Sequence, residues 1–141
     1  MSQVYWDSML FIYWLEDHPR FAKQVDAIYS RMKERRDRLI TGSFTFGEVL
    51  AGAYRRGRPE LANQFHALLR SVVSEVVPFT VDTADHYARI RGSLNITPAD
   101  AIHLASAAQA RTDLFLTNDK SLAGKIIPGI QFIAPLDTQI L

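Results

Sequence analysis

The sequence predicts an α/β fold built on a mostly parallel central sheet of about four to five strands, and three observations carry that expectation. Short β-branched and aromatic runs alternate with amphipathic helical segments along the whole chain. Parallel strands need crossover connections, so helices recurring at this pitch must cover both faces of the sheet. With 141 residues there is room for one core, which makes residues 1–141 a single domain.

The first strand is VYW, apolar and β-prone, ending at Asp7. Ser8 is placed to cap a helix through MLFIYWLE. Pro19 suits the first turn of a second helix, in which Phe21, Ala22, Val25, Ile28, Tyr29 and Met32 recur at helical spacing before the charged run KERRDR. RLIT, Arg38 to Thr41, reads as the second strand. Ser43 and Thr45 offer caps for a helix through FGEVLAGAYRR, which Gly57 and Pro59 end. An amphipathic helix follows, carrying Leu61, Ala62, Phe65, Leu68, Leu69, Val72 and Val73. EVVPFTV is a third strand, and its Pro78 assigns it to an edge. ADHYARIRGSL is a further helix, and Thr97 with Pro98 opens the small-residue helix ADAIHLASAAQA. LFLT is a strand, a helical turn follows Asp119, and IQFIA is the last strand.

Composition removes several classes of function. There is no cysteine, so neither a disulfide framework, a thiolate zinc site nor a cysteine nucleophile is available, and the chain suits a reducing cytoplasm. The longest stretch without charge, Ile126 to Leu136, has eleven residues broken by Pro128, Gly129 and Pro135. A spanning helix needs roughly 20 apolar residues. No Lys or Arg precedes Arg20, so the apolar run from Met9 to Leu15 lacks the basic flank of a signal peptide. The formal net charge of +1 argues against nucleic-acid binding through bulk charge alone.

In open α/β sheets, ligands bind beyond the carboxyl ends of the strands. Four carboxylates stand there: Asp7 after VYW, Glu48 early in the helix after RLIT, Asp100 in the first turn of the helix begun at Thr97, and Asp119 in LFLTND. Three have a structural explanation of their own. Asp7 can be a helix cap, Thr97 with Asp100 resembles a capping box, and Asp119 suits a turn. Glu48, in FTFGEVLAGA, is harder to explain away, because its neighbours are apolar or small and burying a carboxylate without a partner is costly. Together the four should open onto one edge of the sheet. Two unit charges about 4 Å apart repel by on the order of 4 kcal/mol at an effective dielectric of 20, so such a group takes up protons, spreads apart or holds a cation. An all-oxygen ligand set favours Mg²⁺ or Mn²⁺ over zinc. A hard ion beside a phosphate can activate water and neutralise charge, which is the chemistry of phosphodiester hydrolysis. Setting these four aside leaves eleven acids against sixteen bases, so the remainder of the chain is basic and suited to a polyanion.

VYWDS, FTFGEVLAGA, TPADAIHLASAA and LFLTND, in this order, resemble the four acidic blocks of PIN-domain ribonucleases, most of all the VapC-type toxins of VapBC toxin–antitoxin pairs. The resemblance spans nearly the whole chain, and no acidic position of the pattern is missing. It implies a three-layer α/β/α sandwich and a Mg²⁺- or Mn²⁺-dependent endoribonuclease that leaves 5′-phosphate and 3′-hydroxyl ends. It further implies an RNA substrate, an antitoxin partner, and a homodimer or toxin–antitoxin hetero-oligomer. On the matching positions, Asp7 and Asp100 would bind the metal directly. Glu48 and Asp119 would act directly or through water, and Ser8 and Thr117 would orient the carboxylates or the attacking water.

Other residues carry weaker signals. His103 shares a helix face with Asp100, within range of a scissile phosphate, although a histidine in a small-residue helix is more often a packed, hydrogen-bonded neighbour. His18, His66 and His86 show no ligand spacing. Arg55, Arg56 and Arg58 lie two turns beyond Glu48, where they can meet RNA phosphates; the run Arg31, Lys33, Arg35, Arg36 and Arg38 reads as a solvated helix end. Trp6, Phe11, Tyr13 and Trp14 can stack bases but more naturally fill a core. Gly47 and Gly52 are expected to permit close packing of their helix. The helices around residues 21–32 and 61–73 are expected to form the antitoxin groove or a dimer interface. Two other functions compete: a receiver-like signalling domain, with Asp82 as the only stand-in for a phosphoacceptor, and a non-catalytic acidic cleft that binds a basic peptide.

Overall fold

A computed structural model describes residues 1–137. The elements run β1 (Gln3–Trp6), α1 (Ser8–Leu15), α2 (Ala22–Arg35), β2 (Arg38–Gly42), α3 (Ser43–Arg55), α4 (Pro59–Val72), β3 (Glu75–Val77), α5 (Val81–Ser93), α6 (Pro98–Gln109), β4 (Thr112–Thr117) and β5 (Ile130–Pro135). All five strands are parallel, in the order β3-β2-β1-β4-β5. The chain winds outward from β1 to β2 and β3, then returns to lay β4 on the other side of β1. The strand order therefore reverses between β1 and β4, and the crevice beyond their carboxyl ends is where such sheets bind ligands.

Alternation along the strands divides the interior in two. Val4, Trp6, Leu39, Leu114 and Leu116 face α1 to α4 in one core, while Tyr5, Ile40 and Phe115 face α5 and α6 in the other. This is the three-layer sandwich the sequence implies. The helix α6 buries Ala101, Ala105, Ser106, Ala107 and Ala108, side chains small enough to let it lie close against the sheet. Trp6 sits fully buried among the rings of Phe11, Trp14 and Tyr29, so it and Phe11 are core and offer no base-stacking platform. Fully burying a side chain of this class stabilises by roughly 1.5–3 kcal/mol.

Several local expectations are corrected. Of the two caps the sequence offered for α1, Asp7 and Ser8, it is Asp7 that serves: its carboxylate accepts the Met9 N–H at 3.1 Å, and Ser8 is the first helical residue. Gly42, not Ser43 or Thr45, is the N-cap of α3 and makes no side-chain cap; the Thr45 hydroxyl instead meets that of Thr41 at 2.7 Å. Pro19 lies in the turn before α2, where His18 Nδ1 accepts the Arg20 and Phe21 N–H groups. The third strand stops at Val77, before Pro78, which has no N–H for a ladder, and it does lie at an edge. A Thr80–Thr83 capping box starts α5 three residues before the expected Ala84. Gly47 and Gly52 are not packing glycines, because a Cβ on either would meet open space. The close approaches occur at Gly42 and Gly129 instead; Gly129 has φ +97°, and a Cβ there would come within 2.6 Å of the Ala108 carbonyl oxygen.

Candidate active site

Asp7 follows β1 directly, and Thr117 ends the neighbouring β4, so the two meet at the point where the strand order reverses. The Thr117 hydroxyl donates to Asp7 Oδ2 at 2.6 Å and accepts the Asp119 N–H at 3.0 Å. One hydroxyl thus ties the first acid to the loop carrying the fourth. Asp119 is exposed, and its Oδ1 accepts from both the backbone and the hydroxyl of Ser121. Asn118 fastens the same loop to α1 by donating to the Tyr13 hydroxyl at 2.8 Å.

Glu48 and Asp100 approach this edge from α3 and α6 and are both half-buried. Glu48 Oε1 lies 2.6 Å from His103 Nε2, and the Thr97 hydroxyl caps α6 by accepting the Asp100 N–H at 3.2 Å. The carboxyl groups feel their surroundings and, in part, one another. Burial pushes Asp7 above the ordinary carboxylate range, against the hydrogen bond from Thr117. Asp100 is raised by burial, with the charges of Asp119 and Glu48 adding to it against the Thr97 hydroxyl. For Glu48 burial is the largest effect and works upward, but hydrogen bonds from His103 and Ser8 prevail, and its carboxyl is lowered.

A bound cation would relieve the like charges that Asp100 faces and the burial of Asp7, and the carboxylate oxygens are the donors a hard ion takes. Among the described residues, however, no three acidic or histidine side chains stand close enough to enclose an ion. A divalent ion here would be held by one or two carboxylates with water completing its shell, rather than by a closed protein cage.

His103 does not reach outward to a phosphate. It is buried, with Nδ1 2.9 Å from the Tyr5 hydroxyl and Nε2 on Glu48, and Phe44 packs against its ring. Tyr5 and Gly42, which complete this set of contacts, had no signal in the sequence beyond their strand positions. Of the nearby arginines, Arg56 pairs with Glu16 and Arg58 with Glu60, while Arg55 lines a cleft of about 370 Å³ beside Glu48, Ser8 and Phe44. In the second basic run Arg35 pairs with Asp37 and Arg38 with Glu75. Asp82 lines a cavity with Arg111 and Thr112, at the amino end of β4 and so at the edge opposite Asp119.

The PIN domain family model matches residues 4–125. No curated protein matches the chain. Among solved structures, VapBC2 from Rickettsia felis, bound to a DNA fragment from their promoter, superposes with a TM-score of 0.75 at 15% identity, covering 94% of this chain and 98% of that one. VapC20 from Mycobacterium tuberculosis, a sarcin-ricin loop cleaving toxin, gives a TM-score of 0.65 at 16% identity over 87% and 96% of the two chains. A toxin–antitoxin complex from Klebsiella pneumoniae gives 0.62 at 24% identity over 90% and 94%. At these identities the structures share a fold with this chain, and it is the match over residues 4–125, enclosing all four acids and the sheet edge they line, that decides kinship: the chain belongs to the PIN-domain family.

Proposed function

We propose that this protein is a divalent-metal-dependent endoribonuclease and the toxin of a toxin–antitoxin pair. The observation that carries the reading is the Thr117 hydroxyl, shared between Asp7 and the backbone of Asp119 at the reversal of strand order; the charges of Asp119 and Glu48 acting on Asp100 support it. Mg²⁺ or Mn²⁺ bound there would supply Lewis acidity and lower the pKa of a bound water. Asp7 and Asp100 would hold the ion directly, and Glu48 and Asp119 directly or through water. Thr117 keeps Asp7 Oδ2 in place, and the α1 cap does the same for Oδ1. Ser8, next to Asp7, steadies Glu48. Water attack at phosphorus forms one P–O bond and breaks another, leaving a 5′-phosphate and a 3′-hydroxyl. Arg55 in the cleft beside Glu48 is suited to an RNA phosphate outside the acidic edge.

The neighbouring structures named as toxin–antitoxin complexes support a protein partner. An apolar groove of about 320 Å³ between Phe11, Trp14 and Leu15 of α1 and Leu68, Leu69 and Val72 of α4 suits an amphipathic antitoxin helix. The expected surface around residues 61–73 thus pairs with α1, and α2 lines none of the groove.

Replacing Asp7→Asn or Asp100→Asn should lower metal-dependent RNA cleavage by about 100-fold or more while the protein remains folded. A folded Asp7→Asn protein that cleaves RNA at the original rate would remove the assignment. The receiver-like alternative has little support: its sheet order is 2-1-3-4-5, and Asp82 faces the wrong edge.

A further inference from the structure

Behind the acidic edge runs a chain of hydrogen bonds. The Gly42 N–H donates to the Tyr5 hydroxyl at 3.0 Å, that hydroxyl lies 2.9 Å from His103 Nδ1, and His103 Nε2 lies 2.6 Å from Glu48 Oε1. Its members come from the β2–α3 junction, β1, α6 and α3, so it links four elements that the sequence keeps apart.

The proton positions follow from the ends inward. An ionised carboxylate only accepts, so Nε2 carries the hydrogen facing Glu48. In a neutral imidazole that donates from Nε2, Nδ1 can only accept, so the Tyr5 hydroxyl, whose oxygen takes the Gly42 N–H, gives its proton there. In this arrangement the imidazole is the Nε2–H tautomer, held between Tyr5 and Glu48. Packing holds Tyr5 where it can donate in this way, since it is fully buried and stacked on Phe115 with ring centroids 5.1 Å apart. Gly42 is required as well, since a Cβ there would stand 2.9 Å from the Tyr5 hydroxyl and 3.0 Å from Ser106 Oγ.

We propose that Tyr5 and His103 are positioning residues for Glu48, relaying the fixed backbone N–H of Gly42 to Oε1 and so setting the rotamer in which the carboxylate meets the metal shell. The inference rests on the assignment of Glu48 to the metal site. A partner behind a ligand typically changes metal affinity by 10- to 100-fold when lost.

The test uses the full chain with Tyr5→Phe, which keeps the ring on Phe115 and removes only the hydroxyl. Histidine ¹⁵N NMR of the metal-free protein should show His103 as the single Nε2–H tautomer, and a mixture in Tyr5→Phe. Mn²⁺ titration should show affinity lowered about 10-fold in Tyr5→Phe and His103→Ala, with His103→Gln recovering much of the loss because its amide can donate to Oε1. In a Glu48→Gln background the Tyr5→Phe effect on Mn²⁺ should vanish. An Nδ1–H tautomer in the original protein, unchanged Mn²⁺ affinity in Tyr5→Phe, or a Tyr5→Phe effect that persists undiminished with Glu48→Gln would each overturn the positioning role alone. If Glu48→Gln by itself binds Mn²⁺ and cleaves RNA like the original protein, the metal-site assignment falls, and the positioning role falls with it.

Discussion

Asp7 carries three demands on one carboxylate. It caps α1, it accepts the Thr117 hydroxyl, and in the proposed function it would hold the ion, all while almost out of reach of solvent. Burial raises its carboxyl above the unfolded value of 3.8, so the folded protein holds that proton more tightly than the unfolded chain does. Its contribution to stability is complete below 3.8 and is lost as pH rises through the raised folded value. Asp100 acts in the same direction. Thermal unfolding without divalent ions should therefore show Tm falling as pH rises upward from the ordinary carboxylate range, with a shallower fall in Asp7→Asn. A Tm of that variant following the same pH curve as the original would show that burial of Asp7 carries no such strain.

At the scale of the element, α3 separates what a glycine costs from what it permits. Gly47 and Gly52 lie inside the helix with open space where a Cβ would be, so Gly47→Ala and Gly52→Ala should each stabilise by about 0.5–1 kcal/mol, read by denaturant titration. Destabilisation by either would mean that something packs there after all. The sequence shows Gly42, Gly47, Gly52 and Gly57 at even spacing but not which of them has a neighbour. Gly42 needs its bare Cα because of Tyr5, and Gly129 because of Ala108, contacts set by tertiary structure. The same distinction explains the rest of the comparison. Strands β1, β2, β4 and β5 and the positions of Asp7 and Asp119 just beyond the ends of β1 and β4 were legible, since alternation and strand ends are local patterns. The link from Tyr5 through His103 to Glu48 was not, because its partners are 98 and 55 residues apart in the chain. The caps of α1 and α3 shifted by one or more residues because Asp7 and Gly42 take extended backbone that the neighbouring Ser8 and Ser43 could equally have taken.

For the whole molecule, an ion at the proposed site would make metal binding and stability one quantity. An ion that binds only the folded state, present at 100 times its dissociation constant, stabilises by about 2.7 kcal/mol, or roughly 10 °C in Tm for a domain of this size. Mg²⁺ or Mn²⁺ should produce a shift of this order in calorimetry, larger at about pH 8 than at about pH 5, because protons compete for Asp7 and Asp100. Equal shifts at both pH values would place the ion elsewhere.

The position of β1 in the middle of the sheet also orders events in time. Asp7 and Thr117, joined at 2.6 Å, lie 110 residues apart, and β1 lacks one of its two neighbouring strands until β4 has been made. At about 5–20 residues per second, a ribosome needs roughly 6 to 20 seconds between these two residues. Throughout that interval the growing chain has its first acid but no cleft to put it in. On the proposed function, the site around Asp7 thus stays incomplete until β4 has been made and docked beside β1.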